Sequence, residues 1–334
     1  MSKGRRVALG RASDDALELV SFGRGAPRAF TPRQIEQLRL TVNRAPEVMV
    51  KVSGGGKDAG GVEAHLRYLD RKGELDIETD DGRVLQGEGA ARALIEDWNL
   101  DIRTKPAARR EGERPPPKQA HNLVLSMPRR TDPQTLLDAV RGFAEKQFAE
   151  RHRYALVLHT DKDHPHVHLV VKAVGVEGER LYIRKATLRE WRAEFAQELR
   201  DRGIPANATN RTVRGQTRTG RPASLEQARR NGHSMLQAER ERQIAIEVAQ
   251  GTLTPGPGKQ RLIDTRAAVL AGWLKVAGQL KTQGEERLAR DVERFARSMP
   301  PPRTDKEHQA AELLAKIASR DRGARAIEAR SRSR

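Results

Sequence analysis

The apolar positions of the chain repeat in two ways, and each repeat predicts a different kind of element. Residues that alternate between apolar and polar predict β-strands. The strands are expected at Glu47–Ser53, His121–Ser126, Tyr154–His159 and His166–Val174. Apolar residues spaced three and four apart predict amphipathic helices. The helices are expected at Thr31–Asn43, Val62–Arg71, Gly89–Trp98, Pro133–Ala149 and Ala186–Arg202.

The order of these elements predicts an α/β domain followed by a helical region. A short polar loop, residues 160–165, separates the last two strands, which are therefore expected to form an antiparallel hairpin. Beyond the basic linker that begins at Arg211 the pattern is helical, with breaks at Thr254–Gly258 and Pro300–Pro302. The expected fold class is α/β, a two-layer sandwich with a mainly antiparallel sheet, plus an all-α C-terminal region.

Charge is distributed unevenly along the chain. The sequence has 63 Lys and Arg against 45 Asp and Glu, a net charge of +18. The excess lies in four segments, Met1–Ala45, Arg103–Lys118, Arg211–Arg230 and Ala318–Arg334. A near-neutral body with basic arms is typical of proteins that bind a polyanion, and nucleic acid is the expected partner. The predicted domains are a basic extension (1–45), the α/β domain (46–210), a basic linker with a helix (211–258) and a helical region with a basic tail (259–334).

Composition also excludes several classes of protein. The 334 residues include no cysteine, which excludes disulfides, thiolate zinc sites and cysteine nucleophiles. The sequence contains neither an apolar run long enough to span a bilayer nor the apolar segment of a signal peptide. We therefore expect a cytoplasmic protein without membrane insertion, in which any metal is bound by histidine or carboxylate.

Four of the nine histidines lie close together, between His159 and His168. Residues two apart on a strand share a face, so His166 and His168 are expected side by side, and the hairpin brings His159 next to them. Three imidazoles can hold one divalent cation with positions left open for catalysis. Asp161 is a candidate partner that orients a ligand. His164 is a fourth ligand, a DNA contact or simply a polar loop residue.

The expected cofactor is Mg²⁺ or Mn²⁺, with Zn²⁺, Co²⁺ and Ni²⁺ as alternatives that a three-histidine site also suits.

A search for a nucleophile is short because the sequence has three tyrosines. Tyr154 and Tyr182 lie beside apolar residues and are expected to pack. Tyr68 lies off the apolar stripe of its helix, with Arg71 and Lys72 on the adjoining turn. Nearby cations favour the phenolate, which can attack a phosphodiester. Tyr68 is therefore the candidate nucleophile.

The glycine-rich segment G-G-G-K-D-A-G-G, residues 54–61, could be mistaken for a nucleotide-binding turn. Ala59 occupies the third position of a dinucleotide fingerprint, and Asp58 follows Lys57 where a P-loop has Ser or Thr. The segment is instead expected to allow close backbone approach, with Lys57 as a candidate contact to DNA phosphate.

Three segments, in this order, resemble the three motifs of conjugative relaxases. They are Y-L-D-R-K-G (Tyr68–Gly73), H-N-L-V-L-S-M-P (His121–Pro128) and H-T-D-K-D-H-P-H-V-H-L-V-V (His159–Val171). These enzymes belong to the His-hydrophobic-His (HUH) endonuclease superfamily, and the likeness is to the P-type mobilisation class that includes T-DNA border-nicking relaxases. The resemblance extends over Glu47–Arg202.

This resemblance implies a function and roles for particular residues. Relaxases nick one strand at an origin of transfer by metal-assisted transesterification and leave a covalent 5′-phosphotyrosine. Tyr68 would be the nucleophile, the three histidines the metal ligands, Asp161 a helper and Ser126 a contact near the scissile phosphate. Arg71, Lys72 and, in the second motif, His121 join Lys57 and His164 as candidate DNA contacts. The implied partners are single-stranded origin DNA, relaxosome accessory proteins and a type IV coupling protein.

Two features depart from the family pattern. Asp70 stands where a small hydroxyl residue is common, and a long segment precedes the first strand.

Two other functions stay open. A noncatalytic DNA-binding accessory protein would explain the basic arms, and a metal-dependent hydrolase of small phosphoesters would explain the histidines but needs no Tyr68. A relaxase differs from both because it becomes covalently attached to DNA.

Overall fold

The computed structural model describes residues 29–100, 117–161, 164–217 and 235–332. Three expectations therefore fall wholly or largely outside the described residues: the basic N-terminal extension, the basic segment Arg103–Lys118 and the basic linker Arg211–Arg230.

The described ranges contain six strands and nine α-helices. The strands are β1 (Met49–Gly54), β2 (Ile77–Thr79), β3 (Val84–Leu85), β4 (Ala120–Ser126), β5 (Tyr154–His159) and β6 (His166–Lys172). The helices are α1 (Pro32–Val42), α2 (Ala59–Leu69), α3 (Ala90–Asp97), α4 (Pro133–Phe148), α5 (Lys185–Asp201), α6 (Met235–Gln250), α7 (Lys259–Thr282), α8 (Glu286–Arg297) and α9 (Asp305–Arg332).

The strands form one sheet in the order β1-β4-β6-β5-β2-β3, and every pair of neighbouring strands is antiparallel. The predicted hairpin is confirmed, since His159 pairs with His166 where β5 ends and β6 begins. The prediction of an α/β fold with a mainly antiparallel sheet and a helical C-terminal region is also confirmed. Strands β2 and β3 were not predicted.

The register of this sheet aligns residues from four strands on one face. Paired residues of neighbouring strands project to the same side, so two rows cross the sheet from β1 to β5. The first row is Met49, Ser126, His166 and His159. The second row is Lys51, Val124, His168 and Val157. We call this side of the sheet the histidine face.

Helices cover the two faces unequally. On the face opposite the histidines, α4 and α5 pack against β1, β4, β5 and β6 through a large aromatic cluster that includes Phe143, Trp191 and Phe195. On the histidine face, α2 and α3 add a partial cover, and their apolar residues pack with Ala155, Val157 and Val170. The apolar stripe predicted for α2, Val62, Leu66 and Leu69, is buried in this second cluster.

The glycine-rich turn allows close approach, as expected, and the groups that approach are protein atoms. A Cβ at Gly55 would collide with the carbonyl oxygen of Ala120, and a Cβ at Gly56 would collide with Val62. The turn therefore holds the start of α2 tightly against β4.

The chain divides into two compact units, Asn43–Ala208 and a second unit that combines the residues before 43 with those from Thr209 onward. In the second unit Phe30 and Leu38 share a core with Val213 and with α7 and α8, and Trp273 Nε1 donates to the carbonyl oxygen of Val213 at 2.7 Å. The predicted breaks separate α6 from α7 and α8 from α9. Among the described helices, none has both the length and the apolar composition that crossing a membrane requires.

Candidate active site

Three imidazoles meet on the histidine face at the end of the β5–β6 hairpin. One ring nitrogen from each of His159, His166 and His168 lies within 4.8 Å of the other two. The ring centroids are 4.6 to 5.1 Å apart. His159 and His166 are buried, whereas His168 is partly exposed. The histidines predicted as metal ligands are thus brought together as a group that could hold one cation.

Main-chain carbonyls orient two of these rings. Nε2 of His159 lies 2.8 Å from the carbonyl oxygen of Leu69, and Nδ1 of His166 lies 3.2 Å from the carbonyl oxygen of His164. A carbonyl only accepts, so each of these nitrogens donates its proton. Nδ1 of His159 and Nε2 of His166 are then left with lone pairs that can bind a metal.

Burial favours the neutral form that a ligand needs. Desolvation is the main cause that lowers the pKa of His159, and the nearby His166 lowers it further, while the hydrogen bond to Leu69 acts in the opposite direction. The neutral imidazole is therefore the dominant form of His159 at neutral pH.

Tyr68 is displayed beside this cluster, as predicted. It lies in the last turn of α2, its side chain is 71% exposed, and its ring stacks on His65 with centroids 6.4 Å apart. The next residue, Leu69, is buried and supplies the carbonyl that bonds to His159. The end of the tyrosine helix is thus fixed to a candidate metal ligand by a direct hydrogen bond.

A tight turn after Tyr68 brings a basic residue to Asp161. Arg71 and Lys72 adopt left-handed backbone conformations, with φ of 53° and 62°. Arg71 Nη2 lies 2.7 Å from Oδ2 of Asp161, and the other carboxylate oxygen is 3.8 Å from Nδ1 of His159. Asp161 therefore joins the turn after the tyrosine to the histidine cluster.

Two further motif residues lie close to this centre. Ser126 is buried on β4 and pairs directly with His166 across the sheet. Asp70 ends α2, and its fully buried carboxylate has no hydrogen-bond partner among the described residues. The departure from the relaxase pattern at position 70 therefore places a carboxylate in the interior, two residues after the exposed Tyr68.

The structure distributes the remaining candidate DNA contacts widely. Lys72 is exposed on the turn after Tyr68, and His164 is exposed in the hairpin loop. Lys57 is exposed at the start of α2, at the other end of that helix from Tyr68. His121 pairs with Val171 on the face opposite the cluster, and its Nε2 bonds to the carbonyl oxygen of Leu181.

Of the other two tyrosines, both expected to pack against apolar residues, only Tyr154 does so. Tyr154 is buried, and burial raises its pKa to about 12. The expectation for Tyr182 is wrong, since its side chain is 72% exposed. Leu181 and Ile183 pack against the α4–α5 side of the sheet, and alternate residues of an extended segment point in opposite directions.

Sequence reasoning missed the role of Leu69, because the group involved is a main-chain carbonyl. It also missed Met49 and Lys51, which share rows with the histidines only once β4 is known to lie between β1 and β6.

The chain is similar in sequence to proteins that have been described before. Residues 76–204 match the family described as "Relaxase: MobA/VirD2-like, nuclease domain". The T-DNA border endonuclease VirD2 of Agrobacterium fabrum is 29% identical over 221 residues, 62% of this chain and 47% of that protein. VirD2 of Rhizobium radiobacter is 28% identical over 187 residues, 52% of this chain and 44% of that protein. The chain thus spans less than half the length of these relatives.

A solved structure, described as "Molecular Basis of Vancomycin Resistance Transfer in Staphylococcus aureus", is 14% identical with a TM-score of 0.30, and covers 50% of this chain and 99% of that one.

The matched segment contains β4, the hairpin and all three histidines, whereas Tyr68 lies just before it. Residues 76–204 are therefore similar to the nuclease domain of MobA/VirD2-like relaxases.

Proposed function

We propose that the chain is a DNA relaxase, with residues 46–210 as its nuclease domain. It nicks one strand at an origin of transfer and keeps the 5′ end of the DNA on Tyr68 as a phosphotyrosine. The observation that carries this proposal is the position of Tyr68 at the end of α2. The main-chain carbonyl of the next residue, Leu69, accepts a hydrogen bond from His159, one of three converging histidines. The match of residues 76–204 to the relaxase nuclease-domain model and the basic arms support it.

The residues present fit a divalent cation. The three donors are imidazole nitrogens, and two of them are oriented by hydrogen bonds through their other nitrogen. When bound, the cation would polarise the scissile phosphate and stabilise the charge that develops on it. Imidazole ligands favour Mn²⁺, Zn²⁺, Co²⁺ or Ni²⁺, and Mg²⁺ remains a candidate because of its abundance in cells.

The covalent step exchanges one phosphoester for another. Oη of Tyr68 forms a bond to phosphorus while the bond from phosphorus to the 3′ oxygen breaks, and the phenol loses its proton as the 3′ oxygen gains one. Because the number of phosphoester bonds is unchanged, the reverse reaction can rejoin the strand. Asp161, bound by Arg71 at 2.7 Å, holds the turn after Tyr68 close to His159, whose Nδ1 is 3.8 Å from the other carboxylate oxygen.

The test is a search for a covalent protein–DNA adduct. The protein is incubated with labelled single-stranded oligonucleotides from the transfer region of its own element, with Mg²⁺ or Mn²⁺, and run on a denaturing gel. We expect a shifted band that disappears with a chelator and in Tyr68→Phe. Tyr182→Phe is the matched control, because its side chain is as exposed as that of Tyr68, and it should form the adduct normally.

The other outcomes identify the competing functions. Cleavage without an adduct would indicate hydrolysis by the metal site, and binding without cleavage would indicate an accessory DNA-binding protein. An adduct that persists in Tyr68→Phe would show that another residue is the nucleophile. The accessory and coupling proteins implied by the resemblance stay predictions.

A further inference from the structure

Helix α7 carries apolar residues on two opposite faces, and one of these faces is exposed. The buried face includes Val269 and Trp273, which pack in the core of the second unit. On the other face Ile263 is 41% exposed and Leu274 is 57% exposed. A helix that is apolar on all sides is normally buried on all sides. The second face of α7 is therefore open where its composition predicts a packing partner.

The exposed apolar residues form one continuous stripe along the helix. Because successive residues are 100° apart, six residues between positions 263 and 278 fall within a sector of about 100° and over about 24 Å of helix. They are Ile263, Ala267, Leu270, Ala271, Leu274 and Gly278, of which all but the partly buried Leu270 are exposed. No charged residue lies in this sector between the two ends. We call it the α7 stripe.

The order of large and small residues along the α7 stripe is self-complementary. When a second α7 lies antiparallel to the first, with a two-fold axis between positions 270 and 271, each large side chain faces a small residue of the other copy. The facing pairs are Ile263 with Gly278, Leu274 with Ala267, and Leu270 with Ala271. A two-fold contact needs this property, because residue i meets residue j and residue j meets residue i. One register therefore accommodates all three large side chains.

The charges beside the stripe agree with the same register. Asp264 and Lys275 lie on one flank, about 20° apart around the helix axis. Equal flanks face each other in an antiparallel pair, so Lys275 of the second copy lies within about 3 Å of Asp264 along the axis. Lys275 is exposed and forms no ion pair or hydrogen bond with any residue that the structure describes. Asp264 accepts a hydrogen bond from Nε2 of Gln260 at 2.9 Å and is partly exposed. The register thus creates two symmetric ion pairs.

We propose that the chain forms a two-fold symmetric dimer in which two α7 stripes pack antiparallel. The occupant of the stripe is a second copy of this chain, because side-chain size and flanking charge both match the same surface in the same register. A contact of about 24 Å between two helices is smaller than the interfaces of permanent dimers, so the dimer is transient and forms at micromolar concentrations. The inference concerns the second unit and does not depend on the proposed function.

The first test is sedimentation equilibrium of the full chain, freed of nucleic acid, from about 1 to 200 µM. We expect the average mass to rise from 37.3 kDa towards twice that value. Leu274→Glu puts a carboxylate into the stripe and should weaken the dimer at least about tenfold. Leu314→Glu is the matched control, since Leu314 is 52% exposed on α9, and it should dimerise as the wild type does. Both leucines are exposed, so both variants should keep the circular dichroism spectrum of the wild type.

The second test distinguishes a second copy from any other occupant. Lys275→Glu and Asp264→Lys each bring like charges together at both symmetric positions and should weaken self-association at least about fivefold. An equimolar mixture of the two variants should dimerise as tightly as the wild type, because each copy then presents charges opposite to those of its partner. Another protein, or another segment of the same chain, would give no such rescue.

The third test fixes the register by crosslinking, which is clean because the chain has no cysteine of its own. Ala271→Cys lies next to the two-fold axis, and oxidation should link two copies through a disulfide. Gly278→Cys is the control, since a Cβ there meets nothing within 4 Å and is free to react. Its two copies lie about 22 Å apart along the axis in the proposed register, so it should stay monomeric.

Four results would each overturn the proposal. They are a mass of 37.3 kDa at every concentration, equal weakening by Leu274→Glu and Leu314→Glu, a mixture of the charge variants that stays monomeric, and equal crosslinking from positions 271 and 278.

Discussion

The histidine cluster shows how two neighbouring strands can bring three candidate metal ligands together. Strand periodicity puts His166 and His168 on one face, and pairing across the hairpin brings His159 to their side. Because these relations are local, the clustering of the three candidate ligands could be predicted from the spacing of histidines along the sequence.

Removing two of the ligands tests this centre at the scale of single residues. The double substitution His166→Ala with His168→Ala should weaken Mn²⁺ binding by more than about 100-fold, since loss of an outer partner alone costs 10–100-fold. Isothermal titration calorimetry measures the affinity directly. His121→Ala removes a histidine from the other face of the sheet and should leave Mn²⁺ binding intact. Unchanged affinity in the double variant would disprove the site.

Other residues of the site could not be predicted from local pattern. The contact between Asp161 and Arg71 joins two motifs that are distant in sequence, and it depends on the left-handed turn at Arg71 and Lys72. Tyr182 has apolar neighbours on both sides, yet it points outward because those neighbours point inward.

At the scale of elements, α2 carries the candidate nucleophile, and its start is held by a capping residue. Asp58 precedes the helix in an extended conformation, and its Oδ1 accepts from the main-chain nitrogen of Gly61 at 2.7 Å. This bond satisfies one of the amide groups left without a partner in the first turn.

Asp58→Ala should therefore lower the free energy of unfolding by about 1 kcal/mol, a typical value for the loss of an N-cap. Asp58→Asn keeps an oxygen that can accept the same bond and should restore most of the stability. Urea unfolding followed by circular dichroism compares the variants. Equal stability of the alanine and asparagine variants would show that the cap contributes nothing.

Sequence patterns predicted the long elements and missed the short ones. Helix α4 was predicted to within one residue, because Asp132 and Pro133 mark its start and its apolar stripe continues for four turns. Strands β2 and β3 have three and two residues, too few for an alternation to be visible. They form because β2 pairs with β5, which is a relation between distant parts of the chain.

At the scale of the whole molecule, net charge is the property that can be read most directly from the sequence. The net charge of +18 is independent of fold, and it predicts salt-sensitive binding to polyanions. The sequence did not indicate which segments of the chain pack together to form the second unit. Phe30 and Leu38 share a core with Trp273, although more than two hundred residues separate them in sequence, and no local pattern indicates such a partner.

The affinity of the full chain for (dT)₂₀ should fall at least about tenfold between 0.05 and 0.2 M salt, the decrease expected when two to three phosphates are neutralised. Anisotropy titrations at several salt concentrations give the slope. A methylphosphonate oligonucleotide, which lacks backbone charge, is the control and should show little dependence on salt. A flat response with (dT)₂₀ would show that the basic residues do not contact the strand.

The bond between His159 and Leu69 has a consequence for how the site tolerates mutation. Its acceptor is a peptide carbonyl, which every amino acid supplies, so a substitution at position 69 changes the packing of α2 without deleting the acceptor. A substitution at that position can therefore alter stability while the hydrogen bond between α2, the helix of the candidate nucleophile, and the candidate ligand His159 is kept. Shifting the end of α2, by an insertion or deletion within the helix, is the kind of change that would break it.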